Sequence, residues 1–178
     1  GNTWSTNTDG LPVIGVSYIA INPIDPQEMY ITTGDAHASD TYSIGILKSN
    51  DGGQTWDTTG MQFAVTDDKM VNKVIIHPTF TDSLFAVTNN NIKISPDGGQ
   101  TWSNALSTSG SVLSGYFRDI EFKPNNPNVL YAVKQTTGSS QVYKSSDRGQ
   151  TWSVAMNGIS TVNRNRPLLA GPALSANF

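Results

Sequence analysis

Apolar residues in this chain come in short runs, each broken by Pro, Asn, Asp or Gly, and the runs recur in the same order three times. "YIAINPIDPQEMYITTG" from Tyr18, "KVIIHPTFTDSLFAVTN" from Lys73 and "DIEFKPNNPNVLYAVKQ" from Asp119 align without a gap. In each, an apolar strand ends at a proline (Pro23, Pro78, Pro124), a polar turn follows, and a second apolar strand begins. A variable loop then leads to a third strand, "IGILKS", "NIKIS" or "QVYKS". An octet closes each unit: "SNDGGQTW" from Ser49, "SPDGGQTW" from Ser95 and "SSDRGQTW" from Ser145. A fourth strand starts at its Thr-Trp pair. No helical periodicity competes with this alternation of short runs and turn residues.

The unit is therefore strand, turn, strand, loop, strand, octet, strand, repeating at roughly 46–52 residues. A lone four-stranded antiparallel sheet of this kind cannot bury both apolar faces. Units of this length stack as the blades of a β-propeller. We expect an all-β chain with blades over 16–62, 71–108 and 117–157. The last strand of a preceding blade and its connection fall over 1–15, with Trp4 ending the tail of a fourth octet. The start of a next blade falls over 164–178. The strands "IAI", "VII" and "IEF" come nearest to continuous burial and should lie innermost, around the channel. Three blades do not close a ring, so the expectation is a part of a larger propeller whose open ends pair with further blades or another copy.

Composition narrows the function classes. Only 11 of 178 residues are Lys or Arg, they are scattered, and the net charge is −3, which argues against nucleic acid as a partner. No apolar run reaches membrane-spanning length. There is no cysteine, so neither disulfides nor thiolate metal sites enter the picture.

The octet itself reads as a turn. Asp-Gly and Gly-Gly favour the positive φ of tight hairpins, and the Asp carboxylate is placed to accept turn N–H groups. The second glycine (Gly53, Gly99, Gly149) occurs in every copy while the first becomes Arg148, so the stricter backbone demand is expected at the second. Ser49, Asp51, Thr55 and Trp56, with Ser95, Asp97, Thr101 and Trp102 and with Ser145, Asp147, Thr151 and Trp152, then form structural sets whose indoles wedge between sheets. One carboxylate per octet is too few for a calcium cage.

This octet resembles the Asp-box (BNR repeat), Ser-x-Asp-x-Gly-x-Thr-Trp. That motif is shared by sialidases, sortilin-like receptors, xyloglucan-hydrolysing glycosidases and many secreted bacterial propellers. The phrases "INPIDPQEMYI" and "KPNNPNVLYAV" look closest to sortilin-like propellers of large secreted Bacteroidetes proteins. The resemblance implies a secreted or cell-surface protein, and Asp-boxes that are structural turns on the face away from the ligand.

A site is then expected on the opposite face, where the loops between second and third strands meet the connections between blades. The loop "TGDAHASDTYS" offers Asp35, His37, Asp40 and Tyr42, which could hold a metal ion or bind sugar hydroxyls, although a solvated loop is the plainer account. Where the inner strands begin, Ser17/Tyr18, Asn72/Lys73 and Arg118/Asp119 occupy matching positions. Arg166 would match Ser17, and Asp67 and Asp68 lie nearby. These groups either meet a ligand at the channel mouth or pair with one another. No metal or cofactor is required by any of them.

A sialidase-type site needs an arginine cluster, and only Arg118, Arg148, Arg164 and Arg166 exist, with Arg148 inside an octet. Tyr116 lies near Arg118 without a partnering Glu. A two-carboxylate glycosidase would draw on Asp35 with Asp119, or Asp35 with Asp68. The expectation is a non-catalytic module that binds a protein or glycan ligand. Part of a glycoside hydrolase and a purely structural spacer are the alternatives.

Overall fold

The computed structural model describes residues 10–13, 15–35, 43–160 and 169. Trp4, His37, Asp40, Tyr42, Arg164 and Arg166, and with them the expected strands at either end, lie outside the described residues. What is described is nearly all β. The single helical turn among these residues is a 3-10 turn at Val65–Asp67, and no helix is long and apolar enough to cross a membrane.

Three antiparallel sheets follow one another along the chain. The first has the order β1 (Val16–Ile21), β2 (Met29–Thr33), β3 (Gly45–Ser49), β4 (Asp57–Gln62). The second runs β5 (Val71–Ile76), β6 (Leu84–Thr88), β7 (Ile92–Ser95), β8 (Ser103–Asn104). The third comprises β10 (Tyr116–Lys123), β11 (Asn126–Thr136), β12 (Ser139–Ser145) and β13 (Thr151–Ser160). A fifth strand, β9 (Leu106–Ser107), joins that third sheet. It leaves the second blade and pairs in parallel with Thr151 and Trp152 of β13. The chain thus stitches two neighbouring blades together at their outer edges.

Burial explains why the sheets stack. Every residue of β5 and β6 is buried, because this middle blade has a neighbour on each side. Val71, Val74 and Ile76 join a core with Tyr30, Ile46 and Met61 of the first blade, whereas Ile75, Phe85 and Ile92 join one with Ile120, Leu130 and Tyr143 of the third. Trp102 packs on the first of these cores, and Trp152, 1 % exposed, sits inside the second. Each indole bridges two sheets. On β1, by contrast, Val16, Ile19 and Ile21 are exposed, as are Val154 and Met156 on β13.

The octets hold their shape through one repeated set of bonds. The Ser hydroxyl donates to the Asp carboxylate at 2.7, 2.8 and 2.7 Å, and accepts the N–H of Gly53, Gly99 or Gly149 at 2.8 Å each time. Thr55, Thr101 and Thr151 donate both their N–H (2.9 Å) and their hydroxyl (2.5–2.6 Å) to the same carboxylate. A further bond ties each octet to its Pro turn: Gly52, Gly98 and Arg148 donate to the carbonyls of Gln27, Asp82 and Asn128. Octets and Pro turns therefore share one face of the molecule.

Both glycine positions turn out to be left-handed. The first has φ of 70°, 66° and, at Arg148, 56°, so Arg148 adopts by strain what glycine adopts freely. The second has a packing demand in addition. A Cβ on Gly149 would lie 2.5 Å from the Phe85 ring of the preceding blade. The same joint is seen from the other side at Gly60, whose N–H donates to Gly99 O at 2.7 Å and whose Cβ would fall 1.9 Å from Gln100 O. The octet is a contact between blades as well as a turn within one.

The octet carboxylates are held ionised. Hydroxyl and amide donors from Thr55, with the Ser49 hydroxyl, lower the Asp51 pKa from 3.8 to about 2, and Thr101 likewise lowers Asp97. Burial opposes the shift at Asp147, yet its bonds from Thr151 and Ser145 still bring it down. A depressed carboxylate pKa contributes stability that is complete above the unfolded value and is lost as pH falls through the folded one. The thermal unfolding midpoint should therefore drop between about pH 4 and pH 2. Asp51→Asn should lower the midpoint at pH 6 and flatten that acid limb, as followed by circular dichroism. An acid limb unchanged by the substitution would contradict this account.

Candidate functional site

The first strands of the three blades lie side by side, β1 beside β5 and β5 beside β10. Each pairs with its second strand through the same irregularity. The register shifts between Val16 and Tyr18, between Val71 and Lys73, and between Phe117 and Asp119. A bulge adds one residue and re-aims the side chains around it. Here the extra residue is Ser17, Asn72 or Arg118, which are the positions that sequence alignment matched.

The bulged residues make fixed bonds. Ser17 Oγ donates to Gly34 O at 2.7 Å, and Asn72 Nδ2 donates across the blade boundary to Phe117 O at 2.6 Å. Arg118 Nε donates to Gln135 Oε1, and its guanidinium lies 4.0 Å above the Tyr116 ring. The residues after the bulges converge. Lys73 Nζ donates to Asp119 Oδ1 at 2.8 Å and to Glu121 Oε1, and stands 5.0 Å from the Tyr18 ring centre. Tyr18, Lys73 and Asp119 thus connect all three blades in one row.

The Lys73–Asp119 pair at the centre of this cluster is dry, while Glu121 and Tyr18 at its edge keep contact with solvent. The side chains of Lys73 and Asp119 are 9 % and 4 % exposed. Burial pulls the Lys73 pKa down, but the bonds to Asp119 and Glu121 outweigh it and raise the ammonium above its ordinary value. The second oxygen of Asp119 accepts the N–H of Leu169 at 2.6 Å. Neither oxygen of Asp119 is left to serve as an acid or base toward a ligand. Glu121 was not among the expected residues. Its signal was available, since it lies two positions beyond Asp119 on the same side of the strand.

The remaining candidates sit on the loop face. Ser43 N–H donates to Lys69 O, Asn89 N–H to Met70 O and Gly115 N–H to Asn90 O, which binds the loops after β2 and β6 to the connections between blades. Asp35 follows β2 directly and is half-buried beside Gly15. Asp68 is exposed with φ of 54°, and its carbonyl accepts Asn89 Nδ2 at 2.9 Å. The Asp67 carboxylate accepts the N–H of Ala64. Among the described residues, no three His, Asp or Glu side chains gather as a metal site.

Removing the cation should expose the logic of the rim. Lys73→Met leaves Asp119 buried, and Glu121 half-buried, without a counter-charge and should cost about 3–5 kcal/mol in denaturant unfolding. Adding Asp119→Leu should return part of that loss. A loss near zero for Lys73→Met would show a solvated rim instead.

Against known proteins, the sortilin-Vps10 family model (sortilin, neurotensin receptor 3) matches residues 45–167. A xyloglucanase of Acetivibrio thermocellus is 29 % identical over 162 residues, taking in 78 % of this chain and 19 % of that protein. A xyloglucanase of Paenibacillus sp is also 29 % identical, over 163 residues, with 78 % and 16 % covered. The chain spans less than a fifth of the length of these two relatives. Two solved structures share the fold. An ancestral GH74 enzyme superposes with a TM-score of 0.66 at 19 % identity, covering 86 % of this chain and 20 % of that one. The GH74 enzyme of Niastella koreensis gives 0.60 at 24 %, covering 83 % and 23 %. Blade order, octets and the family match over residues 45–167 agree: the chain belongs to the sortilin-Vps10 family of β-propellers.

Proposed function

We propose that this stretch of propeller is a binding module of a secreted or cell-surface protein, and that it holds a glycan or protein ligand on its loop face without cleaving it. The observation that carries the reading is the state of Asp119. It is the one expected site acid on the inner strands, and Lys73 and the Leu169 amide occupy both of its oxygens. General acid–base work needs a carboxyl group that reaches the substrate and changes protonation during the reaction. A buried carboxylate with both oxygens engaged does not reach a substrate. Asp35 and Asp68 stay at the loop face, where they can accept hydrogen bonds from ligand hydroxyls. The exposed apolar residues of β1 and β13 suit pairing with further blades or with another copy.

A second reading is favoured by the two xyloglucanase relatives. In it the stretch is part of a xyloglucan-hydrolysing enzyme, with Asp35 as one of two catalytic acids. Xyloglucan oligosaccharides separate the two in one experiment that measures heat of binding and release of reducing ends. Binding with no new reducing ends is expected, weakened by Asp35→Asn and Asp68→Asn. Turnover abolished by Asp35→Asn would establish the enzyme instead.

A further inference from the structure

On the octet face, between the second and third blades, lies a cavity of about 480 Å3 that none of the functions considered above uses. His77 and Arg148 line it with Gln150 and Asn104, and Ile94 and Leu106 are among its apolar walls. Its size falls in the range that holds a small ligand.

Three observations make it more than a crevice. The first is His77, 1 % exposed at the end of the second blade's inner strand. Its Nδ1 accepts the N–H groups of Thr79 and Phe80 at 3.2 and 3.1 Å, which puts the ring proton on Nε2. That Nε2 is buried and has no hydrogen-bond partner. A buried donor without an acceptor is costly and rare, and an acceptor that reached it through a small shift of the cavity wall would remove the cost. The second is Arg148. It occupies a left-handed position (φ 56°) where the other two octets carry glycine. Strain of that kind points to a use for the side chain. The third is that the Arg148 guanidinium makes no ion pair or hydrogen bond among the described residues. It lies 5.4 Å over the ring of Phe80, itself 52 % exposed, which holds it at the cavity edge.

We infer that this cavity binds the carboxylate of a uronic-acid residue in an acidic glycan. Arginine is the side chain best suited to grip a carboxylate in two-point fashion, and among the described residues the Arg148 guanidinium has only the Phe80 ring against it. The Gln150 side chain and Asn104 Nδ2, which have no partner among the described residues, can each meet sugar hydroxyls. Ile94 and Leu106 offer the apolar contact that the C–H face of a pyranose needs. His77 is part of the wall behind them, and a small shift of that wall would bring its Nε2–H to an acceptor on the ligand. This binding is independent of the loop face, on which the proposed function rests.

The test uses the whole chain, titrated with tri-galacturonate in a calorimeter and followed by the 15N resonance of His77 Nε2. Arg148→Gly is the informative variant, because glycine stands at both equivalent positions and relieves the strained φ. It should melt no lower than the native chain and lose at least tenfold in affinity. His77→Phe should weaken binding while leaving Arg148 in place. A neutral xyloglucan oligosaccharide should not shift the His77 signal. Absence of tri-galacturonate binding, or equal binding by Arg148→Gly, would overturn the inference. So would a poly-glutamate peptide that displaces the sugar at equal concentration, which would assign the site to acidic protein.

Discussion

A β-sheet with two apolar faces must be covered on both, and in this chain the second and third octets each fix their sheet against the one before it. The Asp carboxylate gathers the Ser hydroxyl and the Thr amide and hydroxyl, and this freezes the turn. Only a frozen turn can present the second glycine close enough for Gly60 N–H to reach Gly99 O, or for Gly149 to lie flat on Phe85. The indole then fills the space behind it, with Trp102 Nε1 and Trp152 Nε1 donating to Gly99 O and Gly149 O. Trp56 Nε1 has no such partner. Polar bonding inside the turn and apolar packing between the sheets are therefore one device.

The same stacking produces the chemistry of the inner strands. Side-by-side first strands bring matched positions of successive blades together, and the shared bulge aims those positions at one another. Lys73 is then surrounded by Tyr18, Asp119 and Glu121 from the blades on either side. Such a cluster tells one register from another, since a one-residue slip would turn all of these groups to the opposite face. Its bonds run from one blade to the next, whereas the ligand contacts proposed above lie at the loops and at the octet-face cavity.

Much of this was legible in the residues. Repeats of Pro turn, strand and octet fixed the four-stranded unit, because turn chemistry at Pro23, Gly53 and Gly99 leaves few other conformations. Matching positions at Lys73 and Asp119 were visible for the same reason. Other features depend on contacts between blades that no single repeat encodes. The departure of Leu106 and Ser107 to the next sheet, and the service of Glu121 to Lys73, are of that kind. In the sequence Arg148 reads only as an octet residue. Stacking of the second and third blades is what puts it in one cavity wall with His77, 71 positions away in sequence.

The joint between blades can be observed directly by amide hydrogen exchange at Gly60, which lies on the outer strand of one blade and donates to the octet of the next. If the octet is the joint, Gly60 exchanges as slowly as the buried strands in the native chain, and Asp97→Asn, in the other blade, makes it fast. A Gly60 amide that exchanges as freely as a surface loop, or that ignores Asp97→Asn, would contradict the account.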